Sequence, residues 1–145
     1  MTPATADGRV VQADGRSKAY RPIPAADRAA ALRAGSAAYD AGDYFLAHEL
    51  LEPAWMGSDD PVERAFTQGM IKLAAADVHR VRGNRAGVVR NLEGAAERLR
   101  LAAEADHRPS VDIDPTRLAE AVQARLEAAR TGADPGPLTL ASLIP

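Results

Sequence analysis

Four helix-start signals divide this 145-residue chain into short segments. Each is an Asp or Asn whose side chain can accept hydrogen bonds from the first amides of a helix, and two precede a proline, which suits the first helical position. The signals are Asp43, Asp60 with Pro61, Asn84, and Asp114 with Pro115. A further helical pattern begins near Ala25. Together they predict five helices with short joints, which is an all-α bundle of antiparallel neighbours without a β-sheet.

Glycines and one proline predict where these helices end. Gly42, Gly83 and Gly132 each follow a helical pattern, and glycine adopts the left-handed conformation of a helix C-terminus at no steric cost. Pro53 lies inside the second pattern, and proline lacks the amide hydrogen and clashes with the preceding turn. We therefore expect the second helix to end near Glu52 or to kink there.

The composition supports a helical domain. Hydrophobic residues make up 46% of the chain and aromatic residues only 4%; alanine is abundant and β-branched residues are sparse. The length suits one domain. We predict a disordered tail over residues 1–22, a single helical domain over 23–131, and a C-terminal extension over 132–145 that straps onto the bundle.

Several classes of function are excluded by what the sequence lacks. There is no cysteine, so disulfides, zinc–cysteine sites and iron–sulfur clusters are excluded. The net charge of −2 argues against a generally basic surface for nucleic acid. No apolar stretch reaches the roughly 18 residues of a membrane helix, and no signal-peptide core is visible. We expect a cytoplasmic protein with neither a membrane nor a nucleic-acid partner.

The second and third helices carry the residues that fit a plain bundle least well. His48 and Glu52 are four residues apart and share one helix face with Trp55, if the helix continues past Pro53; the neighbouring Glu49 is within reach of a lysine from the third helix. A polar stripe on the third helix contains Gln68 and Lys72, which an antiparallel hairpin brings opposite His48. The predicted pocket between helices two and three is lined by His48, Glu49, Glu52, Trp55, Gln68 and Lys72. His79 lies roughly 16 Å beyond Gln68 along the third helix and should not join it.

Two sequence blocks resemble a known family at these residues. Residues 42–55, with His48, Glu52 and Trp55, resemble the H-x-x-x-E-x-x-W signature of the bacterial and archaeal family called domain of unknown function 309. Residues 68–76 resemble its second block, which His79 and residues 83–87 continue. The resemblance implies an all-α fold without a known activity, and a divalent metal ion on the signature residues His48 and Glu52. Pro53 and Lys72 depart from the family pattern, and Lys72 would place a cation beside that metal.

The residues leave several functions open. His48 and Glu52 can hold a metal, form a buried hydrogen-bonded network with Gln68 and Lys72, or contact an organic ligand. Lys72 is either a desolvated base or nucleophile, or the ion-pair partner of a glutamate. The main hypothesis is a pocket that binds a metal or a small ligand. The alternative is a tetratricopeptide-like scaffold for protein partners, built on the first helical hairpin.

Arginines form a separate cluster around the turn that follows the third helix. Arg80, Arg82, Arg85 and Arg90 have no acidic residue between them. The start of the fourth helix at Asn84 makes this turn either a phosphate site or a solvated basic surface.

Overall fold

Five α-helices form the structure. The computed structural model describes residues 9–11, 17–19, 21–107, 109, 111–133 and 136–145. The helices are α1 (Ala25–Asp40), α2 (Tyr44–Met56), α3 (Pro61–Val81), α4 (Arg85–Glu104) and α5 (Pro115–Arg130), and a 3-10 turn follows at Leu140–Leu143. The predicted all-α bundle and its five helix starts are confirmed.

The N-terminal stretch contains one pairing that the sequence did not predict. Strand β1 (Arg9–Val11) pairs antiparallel with β2 (Ser17–Ala19), with Arg9 opposite Ala19. This corrects the expectation of no β-sheet for these six residues, because three-residue strands contain too few positions to show an alternating pattern. The remainder of residues 1–20 lies outside the described part of the chain.

Local capping explains where the helices begin. The side chains of Asp43, Asp60, Asn84 and Asp114 accept hydrogen bonds from the amides of Leu46, Val62, Gly87 and Thr116, respectively. The predicted stops also hold, since Gly42, Gly83 and Gly132 have φ angles of 84°, 74° and 88°. The starts of α2 to α5 and the ends of α1, α3 and α5 are therefore set by interactions within a few residues in sequence.

Of the two outcomes expected at Pro53, an end of the helix near Glu52 or a kink there, the first is wrong. Helix α2 continues through Pro53 to Met56, and the carbonyl of Pro53 accepts a hydrogen bond from the amide of Gly57 at 2.8 Å. Tertiary contacts hold this last turn, because the carbonyl of Met56 accepts a bond from the amide of Arg21 at 2.9 Å. These bonds compensate for the one helical hydrogen bond that is lost because proline has no amide hydrogen.

Helix α3 is the centre of the bundle. It packs against α2 and α4. Ion pairs join it to α1, through Arg28 and Glu63 at 2.6 Å, and to α5, through Arg125 and Asp77 at 2.9 Å. The largest side chains of the core are fully buried and include Phe66, Leu51, Met70, Leu73, Leu92, Leu99 and Leu118. None of the helices in the described part of the chain is long and apolar enough to cross a membrane.

The C-terminal segment, residues 136–145, lies against α1 and the start of α5. The Asp40 carboxylate accepts hydrogen bonds from the amides of Leu140 and Ala141 at 2.7 and 3.0 Å. The amide of Asp114 donates to the carbonyl of Leu143 at 3.1 Å. The side chain of Leu140 is buried in the core. This segment therefore closes one side of the bundle.

Candidate functional site

Helix α2 presents one histidine and two carboxylates together on its surface. A ligand atom of His48, one of Glu49 and one of Glu52 all lie within 4.8 Å of one another. The spacing follows from the helix, since residues one turn apart share a face. Within the described residues, this is the group of His and carboxylate side chains that could hold a metal ion, and His79 is outside it, as predicted.

The three side chains are half-buried or exposed, whereas the sequence suggested that His48 and Glu52 would be largely buried. The side chain of His48 is 34% exposed and that of Glu49 is 53% exposed; Glu52 is half-buried. Nδ1 of His48 is shielded from solvent and has no hydrogen-bond partner in the described structure, and it lies 3.5 Å from a carboxylate oxygen of Glu49. The cluster is therefore accessible from solvent. It includes one buried polar atom, Nδ1 of His48, that has no hydrogen-bond partner among the described residues.

Trp55 lies two turns after His48 on the same side of α2. The guanidinium of Arg64 stacks 4.8 Å from the centre of the indole ring, and it donates to the carbonyls of Trp55 and Ser58, both at 2.9 Å. These contacts fix the ring at the end of α2. Its Nε1 is shielded from solvent and, in the described residues, has no acceptor. Trp55 thus contributes a second buried polar atom on this side of the helix.

Two polar side chains of α3, those of Lys72 and His79, contact α4. The aliphatic part of Lys72 crosses Gly94, where an added Cβ would lie 2.7 Å from Lys72 Cδ. The ring of His79 covers Gly87 in the same way. Its Nδ1 lies 3.1 Å from Nδ2 of the Asn84 side chain. Glycines on α4 therefore make room for two large polar side chains. The predicted approach of Gln68 and Lys72 to His48 stays a prediction.

A second polar cluster, which sequence reasoning missed, surrounds a buried carboxylate of α3. The Asp77 carboxylate is fully buried and accepts two bonds from Arg125 at 2.9 and 3.0 Å, one from Arg80 at 2.9 Å and one from the Tyr39 hydroxyl at 2.5 Å. Burial, together with the negative charge of Asp77, raises the pKa of Tyr39. The hydrogen bond to Asp77 raises the pKa of Arg80. The sequence indicated this cluster only through Asp77, an acidic residue in an apolar stretch of α3.

This cluster bears on the arginine group at the α3–α4 turn. Arg80 is half-buried and donates to the Asp77 carboxylate and to the Tyr44 hydroxyl at 3.2 Å, whereas Arg82, Arg85 and Arg90 are exposed. Asn84 uses its side chain to cap its own helix. The turn is thus a basic surface with one of its four arginines committed to the core.

The fold and the α2 cluster define a small all-α protein with one histidine and two carboxylates grouped on a single helix. Comparison with known proteins shows which family this region is similar to. Residues 32–91, which include all of α2 and α3, match the sequence model of the family described as domain of unknown function (DUF309). The resemblance drawn from the sequence is confirmed.

One curated relative is similar over 91 residues. It is the uncharacterized protein YpuF of Bacillus subtilis strain 168, which is 35% identical across 61% of this chain and 50% of its own length. This chain thus spans half of the relative that it matches. No solved structure matches the chain.

Proposed function

We propose that this protein binds a divalent transition-metal ion through His48, Glu49 and Glu52, in a pocket that Trp55, Gln68 and Lys72 border. The observation that carries the proposal is the convergence of three ligand atoms within 4.8 Å on one helix. An imidazole with two carboxylates is a donor set suited to ions such as Zn²⁺ and Mn²⁺, and two carboxylates balance the charge of the ion.

The distances are compatible with a site that closes on its ion. In a tetrahedral zinc site, two ligand atoms that each lie about 2.1 Å from the ion are about 3.4 Å apart. The three ligand atoms lie within 4.8 Å of one another, and rotation of the half-exposed Glu49 side chain toward His48 can close the difference. A small side-chain adjustment is therefore sufficient.

The unpartnered nitrogen of His48 supports a metal over a purely structural network. In a satisfied network, every buried polar atom would have a hydrogen-bond partner within the protein. In the described structure, Nδ1 of His48 has none. Trp55 Nε1 is also unpartnered and supports an oxygen-containing ligand at the same pocket.

Elemental analysis tests this proposal. After dialysis against EDTA, the purified protein is reloaded with Zn²⁺ or Mn²⁺, and bound metal is measured together with the melting temperature. We expect stoichiometric metal and a higher melting temperature for the wild type, with both lost in His48→Ala and Glu52→Gln. His107→Ala is the matched control, because His107 is exposed and lies in the loop between α4 and α5, outside the metal-binding group. Equal metal content in His48→Ala and His107→Ala would refute the proposal.

A scaffold for protein partners is the second candidate, favoured by two exposed apolar side chains at the start of α2. Phe45 is 63% exposed and Leu46 is 43% exposed. An interaction face of this kind would take an amphipathic helical peptide. Peptide-induced NMR shifts at Phe45 and Leu46, without metal uptake, would favour the scaffold; metal uptake without such shifts would favour the metal site.

A further inference from the structure

A cavity of about 460 Å³ opens between α1, α3, the α4–α5 loop and the C-terminal segment. Phe66 and Met70 of α3 are fully or almost fully buried and line it together with Leu32, Ile113 and Leu140. None of the α2 residues proposed to bind metal lines this cavity. Its volume lies within the range of about 300–1,000 Å³ typical of small-molecule sites, and its lining is mostly apolar. It is therefore a separate candidate binding site.

The C-terminal segment forms one wall, and polar contacts at its edge hold that wall in place. The Asp40 carboxylate accepts hydrogen bonds from the amides of Leu140 and Ala141, so it caps the 3-10 turn. The side chain of Arg117 also donates to the carbonyl of Ser142 at 3.4 Å. These bonds fix the wall from outside and leave the interior apolar. A void lined by apolar side chains favours an apolar occupant over ordered water.

The polar side chains that line the cavity are exposed or half-buried. Arg33 and Asp112 are exposed, and Ser36 is half-buried. Asp40 also lines the cavity, but its carboxylate is engaged by the two amides of the 3-10 turn. Arg33 has no ion-pair partner among the described residues, and a guanidinium presents two parallel donors that match a carboxylate. The site thus combines an apolar interior with an available cation.

We infer that this cavity binds a medium-chain carboxylic acid, with the alkyl chain against the accessible apolar side chains of Ala37, Val111 and Ile144 and the carboxylate on Arg33. The alkyl chain replaces water against apolar walls, and each buried methylene strengthens binding. The carboxylate remains at the solvent boundary, where its desolvation is small. The inference does not depend on the metal proposal, since the two sites share no residue.

Calorimetric titration with decanoate tests whether the cavity is the site. We expect saturable 1:1 binding with a Kd on the order of 0.1 mM. Ala37→Leu fills the cavity from α1 and should abolish this binding while the protein remains folded. Ala34→Leu is the matched control, because Ala34 is also exposed on α1 but does not line the cavity. Absence of saturable binding, or equal binding by the two variants, would overturn the inference.

Two further titrations test the ligand class. Arg33→Gln should weaken decanoate about tenfold and leave decanol unchanged, since only the acid uses the charged donor. Binding should tighten about fourfold for each methylene added from hexanoate to octanoate. Equal loss of decanol and decanoate in Arg33→Gln would refute the role of Arg33. A Kd that does not change with chain length would refute alkyl burial in the cavity.

Discussion

Replacement of Asp77 by alanine should destabilise this protein strongly. The Asp77 carboxylate is fully buried and accepts four hydrogen bonds. Its removal leaves the guanidinium of Arg125, whose side chain is 4% exposed, without a counter-ion. Breaking a buried ion pair from one side costs about 3–5 kcal/mol. In a domain of this size, 1 kcal/mol shifts the melting temperature by about 2–4 °C, so we expect a decrease of about 6–20 °C.

A series of variants separates the contributions within this cluster. Tyr39→Phe removes a hydroxyl that donates to Asp77 and accepts from the amide of Leu138, and should cost about 1–3 kcal/mol. Arg125→Met should cost less than Asp77→Ala, because Arg80 and Tyr39 still satisfy the carboxylate. The double variant Asp77→Leu/Arg125→Met replaces the buried pair by apolar groups. It should recover much of the stability lost in Asp77→Leu.

Urea unfolding followed by far-UV circular dichroism measures these differences. Glu97→Ala is the matched control, because Glu97 is an exposed acidic residue of α4 and should change the free energy of unfolding by about 0.5 kcal/mol or less. The reasoning fails if Asp77→Ala unfolds within about 1 kcal/mol of the wild type. It also fails if the double variant is no more stable than Asp77→Leu, since the uncompensated Arg125 would then carry no cost.

Three further predictions concern alkaline pH, helix packing and the indole ring. Burial raises the pKa of Tyr39 above its ordinary value of 10.0. The stability that its neutral phenol contributes is therefore fully present below about pH 10 and is lost as the pH rises towards the folded-state pKa. The melting temperature of the wild type should fall above about pH 10, and that of Tyr39→Phe should fall less steeply. Gly69→Ala places a Cβ 2.6 Å from Leu99 Cγ and should cost about 1–3 kcal/mol in urea unfolding, with the smaller side chain of Leu99→Ala relieving this clash in a double-mutant cycle. Arg64→Ala removes the cation 4.8 Å from the Trp55 ring and two bonds to backbone carbonyls; it should lower the melting temperature and shift the emission of this single tryptophan to longer wavelength, and unchanged emission would contradict the stacked geometry.

Sequence reasoning was most accurate where the structure depends on neighbours in the chain. Asp43, Asp60, Asn84 and Asp114 each cap the helix that follows, and they bond to amides only two or three residues away. The cluster on α2 is local for the same reason, since one helical turn brings His48 beside Glu52. Such features require no knowledge of how the helices pack.

Sequence reasoning failed where the energy comes from distant contacts. Pro53 is a local signal for a helix end, yet α2 continues because the amide of Arg21 and the side chain of Arg64 hold its last turn. Lys72 and His79 face a neighbouring helix, as expected, but the sequence did not indicate that this helix is α4, because the glycines that receive them show no pattern that a single helix can reveal.

The sequence by itself therefore determined the number, the starts and the all-α class of the helices, together with the pairing of His48 and Glu52 on one face of α2. The tertiary structure decided which faces meet, and so produced the Asp77 cluster and the apolar cavity. Asp77 lies 38 residues from Tyr39 and 48 from Arg125. Hydrogen bonds across such separations form only after the helices have packed, because their geometry depends on the relative position of three helices at once.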